Sequence, residues 1–164
     1  MYHSRKYARL LLISAALTLQ ARWCRAQQLT IQNDDGKQTV LARADLEALP
    51  HVKLQASAHD VSATFEGVAL KSALEKAGVT FGETLRGKRL ASCLLVQASD
   101  GYRVVIALPE MDPAFTDKQI ILAFLKDGKP LDDKEGPYRI VIPDEKRPAR
   151  WIRQVTMLKI VDVQ

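Results

Sequence analysis

A group of basic residues near the C-terminal end of the chain has the side chains and spacing to bind an anion. The group consists of Lys146, Arg147, Arg150 and Arg153. The three arginines are three residues apart, so a helical turn or a tight loop would gather their guanidinium groups, whose planar forks match phosphate oxygens. The alternative is a solvated loop, in which Asp144 and Glu145 balance the positive charge and Trp151 packs in the core.

Few other residues in the sequence are candidates for catalysis or metal binding. The sequence has no Gly-rich phosphate loop followed by Lys, no Gly-x-Ser-x-Gly, no His-Glu-x-x-His and no Cys-x-x-Cys. His51 and His59 are too few for a histidine-rich zinc site and are expected at the surface. Cys93 lies within the apolar run 90–96, where we expect it to act as a small core residue. The sequence therefore predicts no metal ligands and leaves any catalytic residue unknown.

The N-terminus has the pattern of a secretory signal peptide. Arg5, Lys6 and Arg9 precede the apolar run 10–19, and cleavage is expected after Ala26. The run is about half of the roughly 20 residues that a membrane-spanning helix needs, so no stable membrane span is expected after cleavage. The sequence predicts a periplasmic or secreted protein with a signal peptide over residues 1–26.

Cleavage after Ala26 would change the net charge and the cysteine count of the chain. The full chain has 24 basic and 19 acidic residues, and five of the basic residues, with no acidic ones, precede residue 27. The rest of the chain is then electrically balanced, which argues against nucleic-acid binding. Residues 27–164 fit one domain. Cys93 would be the only cysteine left in it, so no intramolecular disulfide can form.

The elements that must position these residues are mostly strands. Strands are predicted at residues 29–33, 38–42, 52–56, 90–98, 102–108, 120–125, 138–142 and 156–163, and helices at 43–49 and 68–77. The second helix has apolar residues at positions 70, 73, 74 and 77, and Gly78 can end it in the left-handed conformation. Strands outnumber the short helices, so the predicted fold class is α+β with a mixed sheet.

A series of short motifs follows one another over most of the chain. They are Thr64–Leu70, Ser99–Arg103, Leu122–Ala123, Asp127–Leu131, Gly136–Pro143 and Ala149–Thr156. Each is common by itself, but their order and spacing over residues 52–160 resemble the sulfite-oxidase-type domain of the molybdopterin-binding oxidoreductases. The resemblance implies that family's fold and a molybdopterin cofactor.

The resemblance also implies a departure from the family's catalytic pattern. Family enzymes bind molybdenum through a cysteine thiolate on the strand before the aromatic-Gly-Val segment and transfer oxygen atoms at the metal. This chain has Ala56 at that position, within Leu54–His59. It also has Glu135 where family enzymes often have His before Gly136.

The resemblance places the basic group beside the cofactor. It therefore assigns Lys146, Arg147 and Arg150 to the pterin phosphate, and Tyr102 and Arg103 to the rim of the pocket. Taken without the resemblance, Tyr102 and Arg103 are ordinary hairpin residues that follow an Asp-Gly turn.

Three functions remain open on the sequence. The first is an exported single-domain module that binds a pterin-type or other anionic small molecule, or an exported partner protein, without the metal–thiolate bond. The alternative is an active molybdopterin-dependent oxidoreductase with non-standard metal ligation. The third is a structural module whose sheet edge docks another exported protein.

Overall fold

The structure, a computed structural model, describes residues 27–58, 61–143 and 145–162. The predicted signal peptide, His59 and Asp144 lie outside the described residues. The strands are β1 Leu29–Gln32, β2 Gln38–Leu41, β3 His51–Ala58, β4 Val61–Ala69, β5 Cys93–Ala98, β6 Arg103–Ala107, β7 Ile121–Lys126, β8 Lys129–Pro130, β9 Arg139–Val141 and β10 Val155–Val161. The α-helices are α1 Arg43–Glu47 and α2 Leu70–Lys76. In this part of the chain, no helix is both long and apolar enough to cross a membrane.

The strands form two sheets, which confirms the α+β class. The first sheet has the order β2-β1-β10-β5-β6 and is mixed, because β1 and β10 are parallel. The second has the order β3-β4-β7-β8, and β9 also pairs with β7. Apolar residues of both sheets belong to one hydrophobic core.

Helix α2 packs on this core as its spacing predicts. Leu70, Ala73 and Leu74 are fully buried, and the helix ends at Lys76. Gly78 follows with φ +91°, a conformation that glycine adopts without steric cost. This part of the sequence prediction is confirmed, although the helix begins at Leu70 and not at Val68.

The difference at the start of α2 comes from strand β4, which the sequence analysis did not predict. Residues 61–68 pair with β3 over its whole length, so Val68 belongs to a hairpin. On its other side β4 approaches β7 so closely that a Cβ on Gly67 would lie 2.1 Å from the Leu122 carbonyl oxygen. The segment 64–69 is therefore a strand with a bulge between Glu66 and Gly67.

The 3₁₀ turns also shift two predicted boundaries. The turn Gly87–Ala91 occupies the first residues of the strand predicted at 90–98, so that β5 begins at Cys93. The turn Pro148–Arg150 interrupts the basic group. It directs neighbouring arginines to different parts of the surface.

Candidate functional site

A cleft of about 390 Å³ opens beside the β3–β4 hairpin. Its apolar side comes from Ala58, Val61, Ala63 and Phe65 of the hairpin and from Trp151. Its polar side chains come from the loops and strands that follow, and they are Lys126, Glu135, Arg139 and Arg153. The cleft combines an aromatic wall with three cationic groups and one carboxylate.

Arg139 is the central cationic residue of this cleft. It begins β9 and is only 8% exposed. Its Nη1 donates to Glu135 Oε1 at 2.6 Å, whereas its Nε is buried and has no hydrogen-bond partner among the described residues. A buried donor without an acceptor is costly. The guanidinium of Arg139 therefore keeps hydrogen-bonding capacity that the described residues do not use.

Glu135 is shared between two cations. In addition to the hydrogen bond from Arg139, Glu135 accepts hydrogen bonds from Lys126. Lys126 Nζ lies 3.2 Å from Oε1 and 3.4 Å from Oε2. No ion pair joins Arg153 to a described acidic residue, although Arg153 lines the same cleft. The one carboxylate lining the cleft does not balance its three cations, so the cleft carries a positive charge.

Two aromatic rings lie close to the Arg139 guanidinium. Its Cζ lies 5.3 Å from the ring centroid of Phe65 and 5.7 Å from that of Trp151. The two rings meet edge to face with centroids 6.0 Å apart, and Trp151 Nε1 donates to the Ile142 carbonyl at 2.7 Å. Burial and the neighbouring charge of Arg153 lower the pKa of Arg139, and Glu135 opposes this shift. An anion beside Arg139 would relieve the cost of that burial.

A second cleft, of about 310 Å³, adjoins the first along Pro148, Trp151 and Arg153. Tyr102 lines this second cleft together with Lys134. The Tyr102 hydroxyl donates to the Ala149 carbonyl at 3.1 Å, and half of the residue is exposed. Tyr102 thus lies next to the Arg139 cleft without lining it.

The other predicted site residues do not line the Arg139 cleft. Arg150 donates to both oxygens of Glu110 at 3.1 Å and also pairs with Glu145. Glu110 raises the pKa of Arg150 through these hydrogen bonds, and Glu145 adds to the effect. Lys146 and Arg147 are exposed at the start of the 3₁₀ turn, and Arg103 is exposed at the start of β6. The spacing of three residues does not bring Arg150 and Arg153 to one site, because Arg150 pairs with Glu110 and Glu145, whereas Arg153 lines the two clefts.

The described residues hold no cluster of three or more His, Cys, Asp or Glu side chains suited to a metal ion. Ala56 is buried on β3 and faces Ala63 of the cleft across the hairpin. Cys93 lies in the other sheet, on β5, where it is partly buried. Burial raises the pKa of the Cys93 thiol, and the charge of Asp162 raises it further, which favours the protonated thiol over the thiolate that binds metals.

The sequence analysis did not select Arg139 or Lys126 as site residues. It included Arg153 in the basic group but did not assign it to the pterin phosphate. A signal for Arg139 was present, because it lies within the apolar strand predicted at 138–142. Arginine is almost never fully buried without a partner. A charged residue inside a predicted core strand therefore indicates either an ion pair or a binding site.

The two sheets and the cationic cleft beside the hairpin define a domain of the sulfite-oxidase type. The chain belongs to the oxidoreductase molybdopterin binding domain family, whose sequence profile matches residues 21–163. This confirms the resemblance found in the sequence.

A solved structure has the same fold. It is the sulfane dehydrogenase SoxCD from Paracoccus pantotrophus, with a TM-score of 0.65 and 19% sequence identity. The match covers 84% of this chain and 39% of that chain, so this chain spans about two-fifths of the length of that one. A comparison with curated proteins gave no match.

The cleft suits the ring system and phosphate of the family's cofactor better than it suits the molybdenum. Molybdopterin carries a flat ring system and a phosphate; the aromatic wall of the cleft suits the ring system, and its surplus positive charge suits the phosphate. A metal–thiolate bond has no matching residue, because the hairpin presents Ala56 and Ala63 and the described cysteine is in the other sheet.

Proposed function

We propose that this domain binds a phosphorylated pterin-type ligand in the Arg139 cleft and does so without a cysteine–molybdenum bond. The observation that carries the proposal is the buried Arg139, whose Nε has no partner among the described residues and whose Cζ lies within 6 Å of the ring centroids of both Phe65 and Trp151. Guanidinium groups bind phosphate through charge-assisted hydrogen bonds. Arg139 would therefore hold the phosphate, and the two rings would contact the flat part of the ligand.

The residues around the phosphate have different roles in this proposal. Arg153 adds positive charge to the cleft, and it is accessible to the ligand because it is exposed and lines both clefts. Lys126 lies 5.9 Å from the Phe65 ring centroid and completes the cationic end. When bound to molybdenum, the family's cofactor supplies oxygen-atom transfer. The residues of this chain supply binding and orientation.

The residue at position 56, Ala56, distinguishes a binding module from an active molybdopterin-dependent enzyme. Its Cβ lies on the buried face of the hairpin, opposite Ala63, and carries no atom that can coordinate a metal. A soft thiolate is the protein ligand that this family uses for molybdenum. We infer that the metal, if present, would be held by the pterin alone.

The test compares the wild-type protein with Ala56→Cys and, as a control without a thiol, Ala56→Ser. All three are produced in a host that makes molybdenum cofactor. Pterin is measured by fluorescence after oxidation, and molybdenum by mass spectrometry. We expect pterin in all three proteins, little molybdenum in the wild type and Ala56→Ser, and a higher ratio of molybdenum to pterin in Ala56→Cys.

Two results would contradict the proposal in different ways. Wild-type protein with equal amounts of molybdenum and pterin would support the active molybdoenzyme. Wild-type protein with neither would remove the pterin from the cleft.

We further propose that the domain acts outside the cytoplasm, because Arg5, Lys6 and Arg9 precede an apolar run of signal-peptide length. Mass spectrometry of the protein recovered from the exported fraction should give an N-terminus at Gln27. Recovery only from the cytoplasm, with Met1 retained, would contradict export.

A further inference from the structure

Strand β3 is a free edge of the second sheet. The strand order of that sheet ends at β3, which pairs with β4 over all eight of its residues without a bulge. No proline or glycine interrupts β3, and Lys53 is its only lysine, arginine, aspartate or glutamate. An edge of this kind presents a row of backbone N–H and C=O groups that can pair with another strand.

The other sheet edges among the described residues are shorter or already covered. Strand β2 has four residues and β8 has two. On β6 the carbonyl of Val105 accepts from Arg150 Nη1 at 3.4 Å, and on β9 the N–H of Ile140 donates to the carbonyl of Ile152 at 2.9 Å. Short length and covering side chains are common protections of sheet edges. Strand β3 has neither, so it is the edge best suited to pair with another strand.

Contacts of Thr64 show in which direction the backbone groups of β3 point. The Thr64 carbonyl accepts from Asp127 N at 2.8 Å, and the Thr64 N–H donates to Asp127 Oδ1 at 2.9 Å, so both groups point away from β3. Gln55 lies opposite Thr64 in the hairpin. Where two opposite residues of an antiparallel pair do not bond to each other, both direct their backbone groups outward. The N–H and C=O of Gln55 therefore face the free edge, as do those of Lys53 and Ser57.

The apolar side chains of β3 are incompletely covered at the same edge. Val52, Leu54 and Ala58 pack against the hydrophobic core but are only partly buried, and Ala56 between them is buried. A further strand at this edge would place its own side chains beside them and remove more apolar surface from water. The edge thus offers hydrogen bonds and apolar surface to one and the same partner.

From this geometry we propose that two copies of the chain pair antiparallel along β3, about a two-fold axis at Gln55, so that their second sheets become one continuous sheet. Such an interface uses the same surface of both copies. Every residue from 52 to 58 then has a partner of similar character in the other copy. The pairs are Gln55 with Gln55, Lys53 with Ser57, Leu54 with Ala56 and Val52 with Ala58.

Backbone direction and charge select this register. Every second residue of β3 faces the edge, so only registers that differ by two residues bring the outward groups of both copies together. An axis at Lys53 would place two lysines directly opposite each other, and an axis at Leu54 would leave them on a diagonal about 7 to 8 Å apart. The axis at Gln55 separates them by four residues along the strand, roughly 13 Å, which is beyond the screening length of about 8 Å at physiological salt.

The size of the contact sets the strength of the dimer. Two strands of this length bury less surface than a standard protein interface, so we expect a weak dimer that forms as the protein concentration rises. The inference does not rest on the proposed function, because Lys53, Gln55 and Ser57 do not line the Arg139 cleft.

The experiment is analytical ultracentrifugation of the purified exported protein from about 1 µM to about 1 mM, the range in which a weak dimer dissociates. Gln55→Lys places two lysines opposite each other and should raise the dimer Kd at least about fivefold. Gln38→Lys is the matched control, because it makes the same change at an exposed residue of β2, the edge of the other sheet. It should leave the Kd unchanged.

A mixture of two variants tests the register itself. Gln55→Glu should dissociate the dimer as Gln55→Lys does, because like charges again meet at the axis. An equimolar mixture of the two should restore a dimer, since lysine now faces glutamate. Position 55 is exposed and its backbone groups do not bond to β4, so both variants should keep the Tm of the wild type. A mixture that stays monomeric would overturn the axis at Gln55.

Amide hydrogen exchange of the wild type needs no variant. The N–H of Gln55 should exchange slowly at about 1 mM and fast at about 10 µM, where a weak dimer dissociates, whereas the N–H of Leu54, directed at β4, should be protected at both. A monomer with a fast-exchanging Gln55 at every concentration would overturn the proposal. Protection of Gln55 only after addition of other exported proteins would overturn self-pairing and assign the edge to a different partner.

Two further results separate this inference from others. A dimer that is equally strong in Gln55→Lys and Gln38→Lys would place the interface elsewhere and overturn the proposal. The pterin content of Gln55→Lys should equal that of the wild type, so a loss of the dimer is distinguishable from a failure of the proposed function.

Discussion

Arg139 and Arg150 are both basic residues of the same C-terminal region, but their surroundings differ in the balance of charge. Arg150 lies between two carboxylates, Glu110 and Glu145, which accept hydrogen bonds from its Nε and both Nη atoms. Arg139 shares a single carboxylate with Lys126, and its Nε has no partner among the described residues. The first arginine stabilises the protein's own loops, whereas the second has a donor that the described residues do not use.

This contrast shows why the type and spacing of basic residues do not by themselves locate an anion site. The arginine at 150 is part of the more conspicuous cluster in the sequence, but its donors are used within the protein. The arginine at 139 is isolated in an apolar strand. The experiments below are expected to separate the two regions, beginning with the largest effect.

The Arg139 cleft depends on the close approach of β4 and β7. Gly67→Ala should disrupt this approach. The new Cβ would lie 2.1 Å from the Leu122 carbonyl oxygen, in backbone that cannot yield without moving a strand. We expect the free energy of unfolding to fall by about 3 kcal/mol, measured by urea denaturation. Gly87→Ala is the control, since its Cβ would meet nothing within 4 Å and only its φ of +58° is unfavourable, at about 1 kcal/mol. Equal losses in the two variants would contradict the close approach.

Arg139→Met should remove ligand binding while keeping the length of the buried side chain. The loss of a charge-assisted hydrogen bond corresponds to about 1.5 to 3 kcal/mol, so the Kd for phenyl phosphate should rise at least about tenfold. The measurement is an NMR titration with phenyl phosphate, which carries one aromatic ring and one phosphate. Binding is followed through the indole N–H signal of Trp151 in ¹⁵N-labelled protein, because its ring lines the cleft. An unchanged Kd in folded Arg139→Met would exclude Arg139 from the site.

Arg150→Met should act on stability and not on binding. We expect a loss of about 1 kcal/mol at neutral pH, because the ion pairs are partly exposed, and an unchanged Kd for phenyl phosphate. A weaker Kd would instead support the sequence prediction that Lys146, Arg147 and Arg150 hold the phosphate.

The pH dependence of Arg150→Met gives a second check. Burial of Glu110 raises its pKa, but hydrogen bonds from Arg150 and from the Ala107 N–H, with the nearby positive charges, outweigh this, so its pKa is lowered overall. A lowered pKa means that the pair stabilises the fold above the ordinary glutamic acid pKa, roughly 4.3, and that this stability is lost as the pH falls through the lowered value. The difference in Tm between wild type and Arg150→Met should therefore shrink in acid. A difference that grows in acid would contradict the pairing.

Tyr102→Phe is expected to have the smallest effect. It removes the hydrogen bond from the Tyr102 hydroxyl to the Ala149 carbonyl, at a half-exposed position, and should cost about 0.5 kcal/mol of stability. The Kd for phenyl phosphate should not change, because Tyr102 lines only the neighbouring cleft. A clear loss of affinity would place the ligand across both clefts, as the predicted rim position of Tyr102 implies.

The fold was largely predictable, because local signals define most of its elements. The Asp-Gly turns, the apolar faces of the strands and Gly78 after α2 all act within a few residues. Strand β4 was missed, and the predicted helix was extended back to Val68. This residue pairs with His51 of β3 and also with Leu122 of β7, and the second partner lies more than fifty residues further along the chain.

The site was less predictable for the same reason. The cleft combines Phe65, Lys126, Arg139 and Arg153 from distant parts of the chain, and the sequence does not show which carboxylate neutralises which arginine. The family resemblance implied a ligand class and a substitution at Ala56. The unpartnered Nε of Arg139 could be recognised only from the three-dimensional structure.

The most direct test of the account measures the pterin content of Arg139→Met and Arg150→Met side by side. Both variants are purified from a host that makes molybdenum cofactor and are compared with the wild type per mole of folded protein. The account predicts that Arg139→Met loses its pterin and that Arg150→Met retains the wild-type amount. Loss of pterin from Arg150→Met alone would contradict it and would assign the phosphate to the turn and not to the cleft.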